Sequence, residues 1–262
     1  MSRSSQGYWD AIAAEYQRVT RIRVDDFHYG PLVPGDRQLG LLPATLAGLR
    51  CLELGCGGAQ NSIYLAKCGA RCVACDLSGE QLAAAGRLAA EHHALVDLVQ
   101  TDLDHLPFRG QARFGLIHSC YALPFVEAPE RLIQAAAELL RPGGVFVLST
   151  SHPLDMGEWV EVDGGDTGVF TQNYFSPAKD WRQEGESEEA SRAVPLSTLF
   201  GWFRQAGLVV DQLLEPRPEA RNVVSDRALC DQVPYWSADW MERRDDLSRI
   251  PFLTVIRAVK PQ

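Results

Sequence analysis

The sequence predicts an α/β fold, a mostly parallel β-sheet covered by helices on both faces. Three observations carry this expectation. From residue 50 onward, short apolar strands alternate with helical patterns. The first strand runs directly into a glycine-rich turn, Gly55-Cys56-Gly57-Gly58. The chain has 262 residues, 46% of them apolar, which is enough to bury one substantial core without disulfide staples.

The elements follow in order. Tyr8, Trp9, Ile12, Ala13 and Tyr16 have helical spacing and predict a short amphipathic helix over 8–18. Residues 25–35 carry Gly30-Pro31 and Pro34-Gly35, turn pairs that predict an ordered loop or lid. A second helix is expected over 36–42, ending before Pro43. Cys51–Leu54 reads as a strand, and Ala59–Cys68 as a helix closed by Gly69. Arg71–Cys75 is a strand, followed by an alanine-rich helix Gly79–His92 with Ser78 as its N-cap. Val96–Gln100 and Phe114–Ser119 are strands. Pro129–Leu140 is a helix stopped by Arg141-Pro142-Gly143-Gly144, and Val145–Thr150 is a β-branched strand. Five strands separated by helices imply a parallel sheet buried on both faces.

Residues 152–195 break this rhythm. They hold many Gly and Asp, the acidic run Glu184 to Glu189, and the aromatics Trp159, Phe170, Tyr174, Phe175 and Trp181. They read as an insertion, part extended and part loop, with the acidic run as a solvated face. Leu196–Ala206 returns as a helix ended by Gly207, and Leu208–Leu214 as a strand. Residues 215–249 are rich in Pro and charge and carry Tyr235, Trp236 and Trp240; Phe252–Val259 is a final strand. We expect a single domain over 1–262: a helical lid over 1–49, a ligand-binding core over 50–151, a substrate cap over 152–195, and the rest of the sheet over 196–262.

Composition excludes several classes. The 25 Lys+Arg against 34 Asp+Glu give a net charge of −9, which disfavours a broad grip on nucleic acid. No apolar run reaches 18 residues, so no spanning helix and no membrane partner are expected. Met1 to Asp10 is polar and does not read as a signal peptide. The seven cysteines read as reduced cytoplasmic thiols. Cys72 and Cys75 are three apart on a strand and point to opposite faces, so Cys68, Cys72 and Cys75 are expected in the core and no metal site is expected.

The sharpest signal is Leu52-Glu53-Leu54-Gly55-Cys56-Gly57-Gly58-Ala59, where the first strand meets the first helix of the alternating region. Glycines there let the backbone turn tightly and approach a ligand. A dinucleotide fingerprint would need glycine at Gln60, so that match fails. A cofactor without phosphate but with positive charge fits better, because Glu53 places an acid beside the turn. S-adenosylmethionine (SAM) carries both a sulfonium and an ammonium. Asp76 ends the second strand, where a carboxylate can accept ribose hydroxyls. Asp102 follows the third strand, where it can accept from an adenine amino group with the Leu103 N–H beside the ring. The three acids face one crevice at the C-terminal ends of the strands.

LELGCGGA, CDLS, TDLDHLPF, FGLIHS and LLRPGGVFVLST together resemble the ordered motifs of class I SAM-dependent methyltransferases. The resemblance is to the small-molecule branch of ubiquinone-type, methyltransferase type 11-like enzymes. It covers residues 8–150 well and the rest loosely. It implies a Rossmann-like three-layer sandwich with a seven-stranded sheet whose last strand is antiparallel, a place that Phe252–Val259 fits. It implies that Gly55, Cys56 and Gly57 line the methionine part of SAM, with Glu53 behind the loop. Asp76 would bind the ribose, Leu77 would lie against the adenine, and Asp102 and Leu103 would hold the adenine edge. His118 and Ser119 would contact the methionine end by backbone atoms, and Tyr16 would reach the SAM carboxylate. Ala59 departs from a third glycine common in the family, and Gly115 from a common Asp.

For chemistry, His152 follows the fifth strand directly and is the first candidate for a general base; its alternative role is a loop cap beside Pro153. His28 and Tyr29, in the lid segment, come next. The lid aromatics suggest an aromatic or apolar small-molecule acceptor; the alternative is that such aromatics form the insertion's own small core. The expected activity is methyl transfer from SAM, giving S-adenosylhomocysteine. The alternatives are another chemistry on the same SAM-binding fold, such as a cyclase or decarboxylase, and a SAM-binding module. Either a monomer or a homodimer suits the sequence.

Overall fold

The computed structural model describes residues 3–20, 22–108, 113–162, 166–171, 173–176, 179–218 and 249–262. The chain opens with α1 (Arg3–Thr20) and the short α2 (Asp36–Leu39). The alternating core follows as β1 (Arg50–Leu54), α3 (Gln60–Lys67), β2 (Arg71–Asp76), α4 (Gly79–Glu91), β3 (Val96–Gln100), β4 (Phe114–Cys120), α5 (Pro129–Leu139) and β5 (Leu140–Ser151). The insertion holds β6 (Glu158–Val162), β7 (Asp166–Phe170), β8 (Asp180–Glu184) and β9 (Ser187–Ser191). Then come α6 (Leu196–Gln205), β10 (Val209–Leu214) and β11 (Leu253–Val259).

Seven strands form one sheet in the order β10-β11-β5-β4-β1-β2-β3. β1 pairs in parallel with β2 and β4, and the parallel ladder continues to β3 and β5. β11 is antiparallel to both β5 and β10. This is the Rossmann-like α/β sheet with one antiparallel strand that the sequence predicts. The chain order switches direction between β1 and β4, which leaves a crevice at the strands' C-terminal ends.

The central strands β1 and β4 are buried almost throughout, which explains why they read as continuous apolar runs rather than alternating ones. One face of the sheet packs against α5 and α6 through Ile133, Ala136, Leu199 and Phe203. The other receives Phe27, Tyr29 and Leu41 from the N-terminal segment. Cys75 lies in the first core and Cys72 in the second, on opposite faces of β2 as their spacing requires. No metal-binding group of His, Cys, Asp or Glu occurs among the described residues.

Several boundaries differ from expectation. α1 is longer than the predicted 8–18. α2 stops at Gly40, whose φ of 63° ends the helix, so 36–42 holds one turn only. Arg141 to Gly144 stops α5 as expected, yet those residues already belong to β5. Leu140 pairs with Phe114 before a register shift between Phe114 and Leu116 absorbs the extra residues. The insertion forms two antiparallel hairpins, β6–β7 and β8–β9. Tyr235, Trp236 and Trp240 lie outside the described residues. Gly115 has a steric reason: a Cβ there would meet Leu49 Cδ1 at 2.3 Å, so Leu49 fills the space a larger residue needs.

Candidate active site

The glycine turn is pinned from behind. Both Gly55 N and Cys56 N donate to Cys75 O at 2.9 Å, which ties the end of β1 to β2. Gly55 has φ 72°, and a Cβ on it would lie 2.2 Å from Ala122 Cβ; only glycine fits both demands. Ala59, the departure from a third glycine, holds φ 55° at the N-cap of α3. The left-handed backbone is therefore retained even without glycine.

Asp76 closes the loop from the β2 side. Its Oδ2 accepts the Gly57 N–H at 2.8 Å and its Oδ1 accepts the Ser78 N–H at 2.9 Å. Burial raises its pKa, opposed by these backbone N–H groups. Beside the loop lies a pocket open to solvent, about 850 Å³ with its mouth included. The sheet side contributes Glu53, Gly55, Cys56, Gly57, Asp76, Leu77 and Leu103 to its wall, and α1 and the loop after β4 contribute Trp9, Tyr16, Tyr121 and Phe125. The charged wall groups among the described residues are carboxylates, with no Lys or Arg. A phosphate finds no cation there, whereas a cationic ligand with sugar hydroxyls finds acceptors.

Glu53 is sealed beneath the turn. Its Oε2 accepts from Ser62 N at 3.1 Å and Ser62 Oγ at 2.5 Å. Burial pushes its pKa up to about 8 despite the Ser62 bonds. His118 Nδ1 lies 3.9 Å from Glu53 Oε1, and neither ring nitrogen of His118 has a hydrogen-bond partner among the described residues. Burial, with neighbouring His28, drives the His118 pKa down to about 3.

The structure separates the catalytic candidates. His28 lines the cavity. Its backbone is clamped by Asn61, which accepts from His28 N at 2.9 Å and donates to His28 O at 3.0 Å. Burial lowers its pKa to about 4, so the ring is neutral at pH 7. Tyr29 is fully buried in the core and donates to Asp36 Oδ1 at 2.5 Å. That hydroxyl fixes the lid segment, because the same Asp36 oxygen also receives the Leu41 and Leu42 N–H groups. His152 is also buried and caps the turn Pro153–Met156, its Nδ1 accepting from Leu154 N at 3.1 Å. Its Nε2 faces Glu215 Oε1 at 3.1 Å, so the proton sits on Nε2 and both nitrogens are engaged. Neither Tyr29 nor His152 lines the cavity.

Three cofactor candidates sit slightly apart from the cavity wall. Asp102 caps the turn Leu103–His105 by accepting from Asp104 N at 2.9 Å, and Leu103 rather than Asp102 lines the cavity. His118 and Ser119 are fully buried. Ser119 Oγ donates to Leu54 O at 2.8 Å, and on this side the wall is made by Cys120, Tyr121 and Ala122.

Sequence reasoning missed a polar bridge between α1 and the core. Gln60 Nε2 donates to Gln17 Oε1 at 2.7 Å, and Gln17 Nε2 donates to Gln81 Oε1 at 2.8 Å. Asp10 Oδ1 accepts from Ser78 Oγ at 2.6 Å and from Glu80 N at 3.3 Å at the start of α4. A carboxylate is favoured there by the helix dipole. The insertion's aromatics also depart from expectation: Phe170, Phe175 and Trp181 are exposed.

Residues 52–148 match a family model described as a methyltransferase domain. A ubiquinone biosynthesis O-methyltransferase from Ralstonia nicotianae is 33% identical over 170 residues, 65% of this chain and 67% of that one. The chain belongs to the class I SAM-dependent methyltransferases. A second enzyme of the same description, from Xanthomonas euvesicatoria pv. vesicatoria, is 35% identical over 173 residues, 64% of this chain and 66% of that one. The match thus spans about two thirds of the length of these curated relatives. Among solved structures, a SAM-dependent methyltransferase from Mesorhizobium loti aligns with a TM-score of 0.62 at 26% identity, covering 85% of this chain and 95% of that one. The methyltransferase uses SAM as its cofactor, and a wall that carries carboxyl groups and, among the described residues, no Lys or Arg suits it. No helix among the described residues is long and apolar enough to cross a membrane.

Proposed function

We propose that this methyltransferase acts on a small, flat, aromatic or apolar acceptor, and that one cavity takes both substrates. The observation that carries this reading is the mixed wall. Carboxylates and glycine backbone come from the sheet side, and Trp9, Tyr16, Tyr121 and Phe125 come from α1 and the loop after β4. Aromatic walls suit a planar apolar ligand. The relatives named as ubiquinone biosynthesis O-methyltransferases support an oxygen atom as the nucleophile.

Bound SAM supplies a methyl group activated by its sulfonium. The protein's part is to hold, orient and dry the reactants. Asp76 takes the ribose with the oxygen lone pairs that Gly57 and Ser78 leave open. Leu77 and Leu103 flank the adenine, with Asp102 at its edge. Gly55, Cys56, Gly57 and the buried Glu53 organise the amino-acid end beside Tyr16, with the backbone at His118 and Ser119 behind it. The neutral His28 ring accepts the proton that an acceptor hydroxyl loses. Burial holds the ring neutral across the neutral range and makes it a weak base, so the proton moves only as the methyl group is transferred.

The test is transfer from methyl-labelled SAM to a panel of catechol, 2-naphthol, aniline and thiophenol. The expected product is an aryl methyl ether. No transfer to any member by a protein that binds S-adenosylhomocysteine removes the acceptor reading and leaves the cofactor intact.

A further inference from the structure

The proposed acceptor side of the cavity is built from α1 and the loop after β4. Trp9 from α1 and Phe125 from the loop after β4 stand edge to face, with ring centroids 5.0 Å apart at 85°. Trp9 also meets Tyr16 at 6.2 Å and 89°. All three rings line the cavity.

Trp9 and Phe125 are both held by one element, the β8–β9 hairpin of the insertion. On one side, Glu189 of β9 is 6% exposed. Its Oε2 accepts the Trp9 Nε1–H at 3.0 Å and also the Ser5 hydroxyl. On the other side, Arg182 of β8 lies over the Phe125 ring, 5.7 Å from its centroid. Arg192, just past β9, donates from its N to Pro124 O at 3.0 Å and from Nη2 to Val126 O at 3.0 Å. The hairpin therefore grips the residues on either side of Phe125 as well as the edge of Trp9.

A buried carboxylate is a costly choice for mere adhesion, since apolar packing would hold a helix more cheaply. What it supplies is direction. An indole ring has a single N–H donor, and fixing that donor at one end, with the Cα–Cβ tether at the other, restricts the orientation of the ring.

We propose that Glu189 is a positioning residue for acceptor specificity, acting by locking the Trp9 ring against Phe125 so that the two rings, packed edge to face, form one continuous aromatic wall of the cavity. The inference rests on the acceptor reading above. That wall takes a planar, uncharged aromatic ring against it, and Glu189 does not touch that ring itself.

The experiment uses the full chain saturated with S-adenosylhomocysteine and titrates 2-naphthol by calorimetry. Glu189→Ala weakens 2-naphthol binding about tenfold while its affinity for S-adenosylhomocysteine stays within about threefold. Glu189→Gln keeps a carbonyl acceptor for the indole N–H and restores 2-naphthol binding to within about threefold of the original. Trp9→Phe removes the donor and matches Glu189→Ala, and the double variant is no worse than either single one. If Glu189→Ala does not fold, the Trp9→Phe and Glu189→Gln pair decides alone. Undiminished 2-naphthol binding in Trp9→Phe or Glu189→Ala overturns the positioning role. A parallel loss of both ligands in Glu189→Ala shows a purely structural residue and also overturns it. No 2-naphthol binding by the unmodified protein overturns the acceptor reading, and this inference with it.

Discussion

Glu53 Oε1 lies 3.9 Å from His118 Nδ1, with 4% and 0% of the two side chains exposed. Two groups of opposite acid–base character are thus held together out of water, and each is pushed toward its neutral form. The consequence is a specific pH dependence. Glu53 has a folded pKa of about 8 against an ordinary 4.5. The folded chain keeps a proton that the unfolded chain releases, so this contribution is full below about pH 4.5 and is lost as pH rises to 8. His118 and His28 have folded values of about 3 and 4 against an ordinary 6.5. Their contribution is full above about pH 6.5 and is lost as pH falls through 4 to 3. The cofactor-free protein should therefore be most stable near pH 6.5 with respect to these groups. Thermal melts across pH 5 to 9 check this; Glu53→Gln should remove the decline on the alkaline side, and an unchanged decline in that variant refutes the assignment.

The same group predicts a cofactor effect. A cation near Glu53 favours the ionised carboxylate, so SAM should bind more tightly as pH rises from about 6 to 9, with release of a proton. Calorimetry in buffers of different ionisation enthalpy reads that proton directly. A proton count of zero at pH 7 separates Glu53 from the cofactor charge.

Asp76 carries two roles, loop fastening and ribose binding. Asp76→Ala should weaken S-adenosylhomocysteine binding by about 1–3 kcal/mol, as for a lost partner to a charged group. A folded variant with unchanged affinity would place the ribose elsewhere.

Gly55→Ala should be among the most damaging single changes. The new Cβ meets Ala122 Cβ at 2.2 Å on a backbone with φ 72°, adding overpacking of about 1–3 kcal/mol to left-handed strain of about 1–2 kcal/mol. Adding Ala122→Gly should restore the overpacking share but not the strain. A Gly55→Ala variant that melts like the original contradicts the described turn.

His28→Gln tests the proton acceptor. Turnover with a phenolic acceptor should fall about 100-fold or more while S-adenosylhomocysteine binding persists. Undiminished turnover would mean that the acceptor loses its proton to water or arrives already ionised.

The alternating strands and the glycine turn were legible because their signals are local: a periodicity, a glycine pair, an acid at a strand end. The seven-stranded sheet and its antiparallel last strand came from the family resemblance and match the structure, whereas the order of the strands was not read from the sequence. The separation of the catalytic candidates was not legible. His152 follows β5 as a site histidine would, but its Nδ1 is taken by Leu154 N at 3.1 Å. Tyr29 sits one residue after His28 and so faces the core when His28 faces the cavity. Glu189 hid in a run of acids that elsewhere is solvent-facing, because nothing in its neighbours reveals that β9 docks on α1. Gln17, Gln60 and Gln81 carry no motif at all; only the distances join them. The loop after β4 could have been anticipated from the strand switch beside it, but Phe125 in particular could not.

The bond between Glu189 and Trp9 joins positions 180 apart in the chain, and that between Glu189 and Ser5 positions 184 apart. On a ribosome, α1 is made first and its anchor late. At the usual pace of synthesis it waits roughly 10–40 s for β9. Through that interval the Nε1–H of Trp9 has no hairpin to meet, while the Asp10 and Gln17 contacts to α4 can already form. The nascent protein thus passes through a stage in which the sheet side of its pocket can already form while its aromatic wall is not yet anchored. A chaperone or a premature ligand would find that stage before the finished enzyme exists.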